Sequence, residues 1–105
     1  MPVRVKLSRA AERDLEEIAA YIAAQASPRV ALNVVRRLRA KAALLRENPY
    51  LGAEDERIGN RRKLLERPYI IAYRVVNASE VNVLRVVHGA RDLPAVFVDD
   101  EGGAP

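Results

Sequence analysis

The sequence predicts an α+β fold, a helical hairpin packed on one face of an antiparallel sheet, in the order β-α-α-β-β-β. Two observations predict it. Two amphipathic segments, each opened by a serine, follow one another within the first half of the chain. Three segments rich in β-branched and aromatic residues then follow, separated by turns too short for a parallel crossover, so they must form an antiparallel meander.

Taken in order, Val3, Val5 and Leu7 alternate with Arg4 and Lys6, which puts three apolar side chains on one face of a short strand. Ser8 is placed to cap a helix, because its hydroxyl can accept from an otherwise unpaired backbone N–H. The first helix is expected over residues 9–25, with Ala11, Leu15, Ile18 and Ile22 as its apolar stripe and Glu12, Asp14, Glu16 and Glu17 mostly elsewhere. Ser27 and Pro28 restart the chain as N-cap and first helical residue. The second helix is expected to run to about residue 47, on a stripe of Ala31, Val35, Leu38, Ala42 and Leu45. Arg36, Arg37, Arg39, Lys41 and Arg46 decorate its other faces, and Asn48-Pro49 ends it.

Residues 50–60 read as a loop. Strands are expected over residues 61–66, 69–76 and 80–88, joined at Arg67-Pro68 and at Asn77-Ala78-Ser79. A helical hairpin on one face of this sheet leaves the other face available.

The chain of 105 residues is expected to form one domain over residues 1–98, with a disordered acidic tail over residues 99–105. Half the residues are hydrophobic but only 5% are aromatic, so the core must be mainly aliphatic. Lys and Arg number 18 against 14 Asp and Glu, for a net charge of +4. That balance fits a nucleic acid, a nucleic-acid enzyme or an acidic protein as partner. The absence of cysteine excludes disulfides and thiolate chemistry. With no apolar leader or run long enough to cross a bilayer, a cytoplasmic location without membrane contact is expected.

The sequence has no Gly-rich phosphate loop and no metal-ligand spacing, and one histidine alone cannot make a zinc site, so no cofactor or metal is expected. The chemistry open to it is cleavage of RNA by positioned side chains, which needs a base, an acid and cations on the phosphate. Candidates are His88, Arg62, Lys63, Arg85, Arg91 and Tyr73. Strand parity sets Arg85 and His88 on opposite faces unless a bulge intervenes, and puts Arg85 in register with Val81, Val83 and Val87. Arg85 therefore reads equally as a structural residue, half-buried and paired to a carboxylate such as one on the first helix, and Tyr73 is grouped with it as structural.

The chain resembles the RelE/ParE superfamily of type II toxins. The resemblance is carried by Leu7 to Ile18, Asn48-Pro49 with Gly52, Gly59-Asn60-Arg61, Tyr69 to Val75, and the ending Val86-Val87-His88-Gly89-Ala90-Arg91-Asp92. It implies a small toxin wrapped by an antitoxin and carrying either of two activities. RelE-like members cleave mRNA on the ribosome, whereas ParE-like members inhibit DNA gyrase by binding. In the ribonucleases a catalytic arginine follows the tyrosine that opens the penultimate strand; here that position, after Tyr69, is Ile70. A second arginine is retained as Arg91, and the catalytic tyrosine falls on Phe97. The resemblance is closest to ParE-like toxins. It implies gyrase as target, a ParD-like antitoxin as partner, contact with operator DNA through the toxin–antitoxin complex, and target contacts at Arg62, Arg91 and Asp92. The alternatives are a RelE-type ribonuclease using His88 and Arg91 with Arg62 or Lys63, and an inactive antitoxin-binding partner.

Overall fold

A computed structural model describes residues 2–59 and 61–89. Strand β1 (Arg4–Leu7) leads into helix α1 (Arg9–Gln25) and helix α2 (Pro28–Ala43), followed by β2 (Ala53–Asp55), β3 (Arg61–Glu66), β4 (Tyr69–Asn77) and β5 (Glu80–His88). Both serine caps form: Ser8 Oγ accepts from the Ala11 N–H at 3.0 Å, and Ser27 Oγ from the Val30 N–H at 3.2 Å. Helix α2 stops at Ala43, and a single 3₁₀ turn (Leu44–Arg46) carries the chain on to Asn48-Pro49, so the α-helix is shorter than its stripe predicts. The stripe still does its work, because Ala31, Leu38, Ala42 and Leu45 are all buried.

The sheet has five strands in the order β1-β5-β4-β3-β2. The meander β3-β4-β5 is antiparallel, as the short turns require. Two features differ from the sequence expectation. β1 pairs with β5 in parallel, which makes the sheet mixed; the helical hairpin between them is a crossover long enough to allow it. Part of the expected loop, Ala53–Asp55, adds a short antiparallel edge strand against β3.

The main core lies between the hairpin and the sheet, where Leu15, Leu38 and Leu45 meet Leu64, Ile71, Tyr73, Val81, Val83 and Val86. At roughly 1.5–3 kcal/mol for each buried Leu, Ile or Val, this layer supplies most of the drive to fold. Arg39 on α2 pairs with Glu12 on α1, and Arg37 and Lys41 pair with Glu66 on β3. Three of the cations that decorate α2 are therefore spent on exposed contacts worth under about 1 kcal/mol each.

The opposite sheet face is not left open. Ile58, from a 3₁₀ turn (Glu56–Ile58), folds onto Ile70, Ala72 and Val87 with Leu84 at the margin, forming a second apolar cluster. Gly59 ends this turn in the left-handed region at φ 69°, where a side chain would be strained. Among the described residues, no helix is long and apolar enough to cross a membrane.

Candidate functional site

Three clusters of polar and aromatic side chains stand out. The first lies where β1 runs out. The β1 register stops at Leu7 opposite Val83, yet β5 continues to His88. Side chains and one backbone amide of the following segment take over the ladder. The Ser8 N–H donates to the Val83 carbonyl at 2.9 Å, the Ser8 hydroxyl donates to the Leu84 carbonyl at 2.8 Å, and the Val86 N–H donates to Asp14 Oδ2 at 2.8 Å. Arg85 closes on the same carboxylate twice, Nε to Oδ2 at 2.7 Å and Nη2 to Oδ1 at 3.0 Å. Asp14 is thus buried on the inner face of α1, not with the exposed acids among which its spacing groups it.

The register between β4 and β5 shifts between Ala72 and Tyr73, a bulge that leaves Leu84 unmatched. It breaks the parity that puts Arg85 in line with Val81, Val83 and Val87: Val81 and Val83 belong to the main core, Val87 to the second cluster. Beyond the bulge, His88 stands beside Tyr69 on the neighbouring strand, the rings meeting edge to face at 5.8 Å and 79°.

The second cluster is a groove of about 490 Å³ between α1 and the ends of β4 and β5, lined by Asp14, Glu17, Ile18, Tyr21, Pro68, Tyr69, Val86, Val87 and His88. Burial first, and then the nearby Tyr21, raise the Tyr69 phenol above its ordinary value. Tyr21, by contrast, is 67% exposed.

The third cluster is at the far end of the sheet. The Tyr73 side chain is fully buried, and its hydroxyl bridges two points of the chain that enters β2. It donates to the Pro49 carbonyl and accepts from the Gly52 N–H, both at 2.8 Å. Burial raises the Tyr73 phenol, against the lowering effects of the Gly52 N–H and the Arg62 charge, so it keeps its proton near neutral pH and is a weak acid. Gly52 has no room for a side chain, since a Cβ would collide with the Lys63 carbonyl and lie 2.8 Å from the Tyr73 ring.

Arg62 donates to the Gly52 carbonyl at 2.7 Å, pairs with Glu54 at 3.5 Å and lies 4.9 Å from the Tyr50 ring centre. Lys63 donates to Asp55 at 2.9 Å, and the same carboxylate is held by Arg57. Both cations are committed locally and largely covered, at 23% and 24% side-chain exposure.

The predicted site residues are therefore dispersed. Arg62 pairs with Tyr73, whereas His88 pairs with Tyr69, four residues away along β4 and on its other side. That is about 13 Å along the strand and about 10 Å across, too far for one phosphodiester to engage both. Arg85 is drawn to α1, and Arg91 and Asp92 lie outside the described residues, as do Phe97 and the acidic tail. Among the described residues, no three His, Asp or Glu side chains converge as metal ligands would. Sequence reasoning missed the groove residues Glu17, Tyr21 and Tyr69 as a unit. Residues 14, 17, 18 and 21 do share a helix face, but nothing local says that the ends of β4 and β5 oppose it.

The family described as ParE toxin of type II toxin–antitoxin systems, parDE, matches residues 5–93. Among solved structures, the chain is similar to one from the chromosomal ParDE toxin–antitoxin system of Pseudomonas aeruginosa. The TM-score is 0.72 and the identity 27%, over 82% of this chain and 95% of that one. It is also similar to a chain of the RelBE2 toxin–antitoxin complex of Mycobacterium tuberculosis, with a TM-score of 0.58 and 25% identity over 84% and 99% of the two chains. No curated protein sequence matches.

Proposed function

The chain belongs to the ParE toxin family of type II toxin–antitoxin systems, and on that premise we propose that it arrests growth in the cytoplasm by binding DNA gyrase, without catalysis of its own, and that a ParD-like antitoxin neutralises it. The observation that carries the gyrase reading over the ribonuclease one is Ile70. At the position where the related ribonucleases carry an arginine, this side chain is 8% exposed and packed with Ile58, Ala72 and Val87. It offers nothing to a phosphate. Two further observations support the reading: the Tyr73 hydroxyl is consumed by the Pro49–Gly52 segment, and His88 is remote from Arg62 and Lys63.

The groove between α1 and the ends of β4 and β5 suits an amphipathic helix or extended segment of the antitoxin. Operator DNA is reached only through the complex. Arg91 and Asp92, with Arg62, are assigned to the target; Arg91→Ala with fold and toxicity intact removes that assignment.

The test is pulse-labelling of DNA and protein synthesis immediately after induction of the chain alone in a bacterium. DNA synthesis falls first if gyrase is the target, and purified protein then inhibits supercoiling. Protein synthesis falling first, with new mRNA ends inside codons, establishes the ribosome-dependent ribonuclease, which the likeness to the RelBE2 chain favours. No effect from folded protein leaves an inactive antitoxin-binding partner.

A further inference from the structure

On a chain of net charge +4 the groove beside α1 is a local exception. Two of its walls are the tyrosines Tyr21 and Tyr69, and its floor includes the aliphatic Ile18 and Val86. It holds two carboxylates. Asp14 is neutralised by Arg85 and capped by the Val86 N–H. Glu17 is exposed and takes part in none of the ion pairs found among the described residues. The groove is thus an aromatic, partly apolar slot with one carboxylate at its rim that joins no ion pair among the described residues, and with the His88 ring set edge to face against Tyr69.

From these features we infer that the groove is a socket for a cationic side chain, a Lys or Arg set between apolar residues in the antitoxin segment that docks there. The chemistry is specific. The stem of such a residue covers Ile18 and Val86, its charged head lies against the π faces of Tyr21 and Tyr69, and Glu17 closes on it from the rim. Charge complementarity selects this occupant over an acidic one. The acidic surface of an antitoxin would be drawn to the arginine-rich face of α2, whereas a residue of opposite sign locks the register at the groove. Tyr21 is the large hydrophobic side chain with the greatest exposure among those described, and this contact would cover it.

The inference rests on the antitoxin reading above, and the experiment separates the two. The antitoxin encoded beside the chain is titrated into wild type, Glu17→Gln, Glu17→Lys and Tyr21→Leu, with circular dichroism confirming the fold of each. Glu17→Gln and Tyr21→Leu are each expected to weaken binding roughly three- to tenfold, and Glu17→Lys more. Replacing the one responsible Lys or Arg of the antitoxin by Glu is expected to restore binding to Glu17→Lys. A direct probe is the peptide acetyl-Leu-Arg-Leu-amide, compared by NMR with its citrulline counterpart. The arginine form is expected to bind several-fold tighter and to shift signals of Ile18, Tyr21 and Tyr69. Equal affinity of the two peptides, or wild-type antitoxin affinity in all three variants, overturns the socket while leaving neutralisation standing. Variants that change the sedimentation of the toxin alone make the groove a self-association face and also overturn it. Absence of any binding by the antitoxin to wild type overturns the antitoxin reading instead.

Discussion

Arg85→Ala is expected to be among the most damaging single substitutions outside the apolar core. The Arg85 and Asp14 side chains are only 15% and 7% exposed, and they make two short charge-assisted hydrogen bonds. Removing one member of a buried pair strands the other charge, at a cost of about 3–5 kcal/mol. Arg85→Ala belongs at the lower end of that range, because Asp14 keeps the Val86 N–H as a donor. Asp14→Ala should cost more, since it removes the carboxylate from Arg85 and also takes the acceptor from the Val86 amide on the strand edge, adding about 1–3 kcal/mol. Asp14→Asn should be milder than Asp14→Ala, as its amide oxygen still accepts from Val86. Against a total stability of about 5–15 kcal/mol for a domain, such losses are large. The assay is urea unfolding of the four members of the Asp14/Arg85 alanine cycle, read by circular dichroism and compared at constant m. Costs below about 1 kcal/mol for both singles would equate the pair with an exposed salt bridge and refute the account. Asp14→Ala no worse than Arg85→Ala would refute the edge-capping role of the carboxylate.

Two other clusters make their own predictions. Tyr73→Phe should cost about 1–3 kcal/mol, because it leaves the Gly52 N–H and the Pro49 carbonyl without the hydroxyl that bridges them; amide exchange at Gly52 should rise in step with the lost stability. The Asp55 carboxyl is held well below its ordinary 3.8, first by side-chain hydrogen bonds from Arg57 and then by Lys63. A depressed carboxyl contributes stability that is complete above about pH 4 and drains away as pH falls below it. Asp55→Asn should therefore flatten the acid limb of a stability–pH curve below about pH 4 and leave its slope between pH 5 and 8 unchanged; an unaltered acid limb would show that the Asp55 contacts contribute nothing to stability.

The elements were legible in the sequence because their signals are local. Ser8 and Ser27 mark helix starts whatever lies around them, the 3.6-residue stripes set which face of each helix is buried, and the run of β-branched and aromatic residues from Tyr69 onward reads as strand. The short turns at Arg67-Pro68 and after Asn77 force the meander by chain geometry alone. Ile70 could be read as incompatible with a phosphate site from its side chain alone.

What the sequence could not determine depends on partners distant along the chain. The parallel pairing of β1 with β5 and the edge strand at Ala53–Asp55 follow from how the meander and hairpin dock, to which local propensity is blind. The bulge at Leu84 reverses strand parity, and no residue type in that stretch announces it. It sets Arg85 and Val87, both beyond it, out of line with Val81 and Val83, and helps place His88 against Tyr69. Asp14 looks like one more surface acid in a helix of acids. Only the end of β1, which leaves the Val86 amide needing an acceptor and Arg85 needing a counter-ion, makes it a buried structural residue. Periodicity records which side chains share a face, but the groove between α1 and the strand ends exists only once two such faces have met.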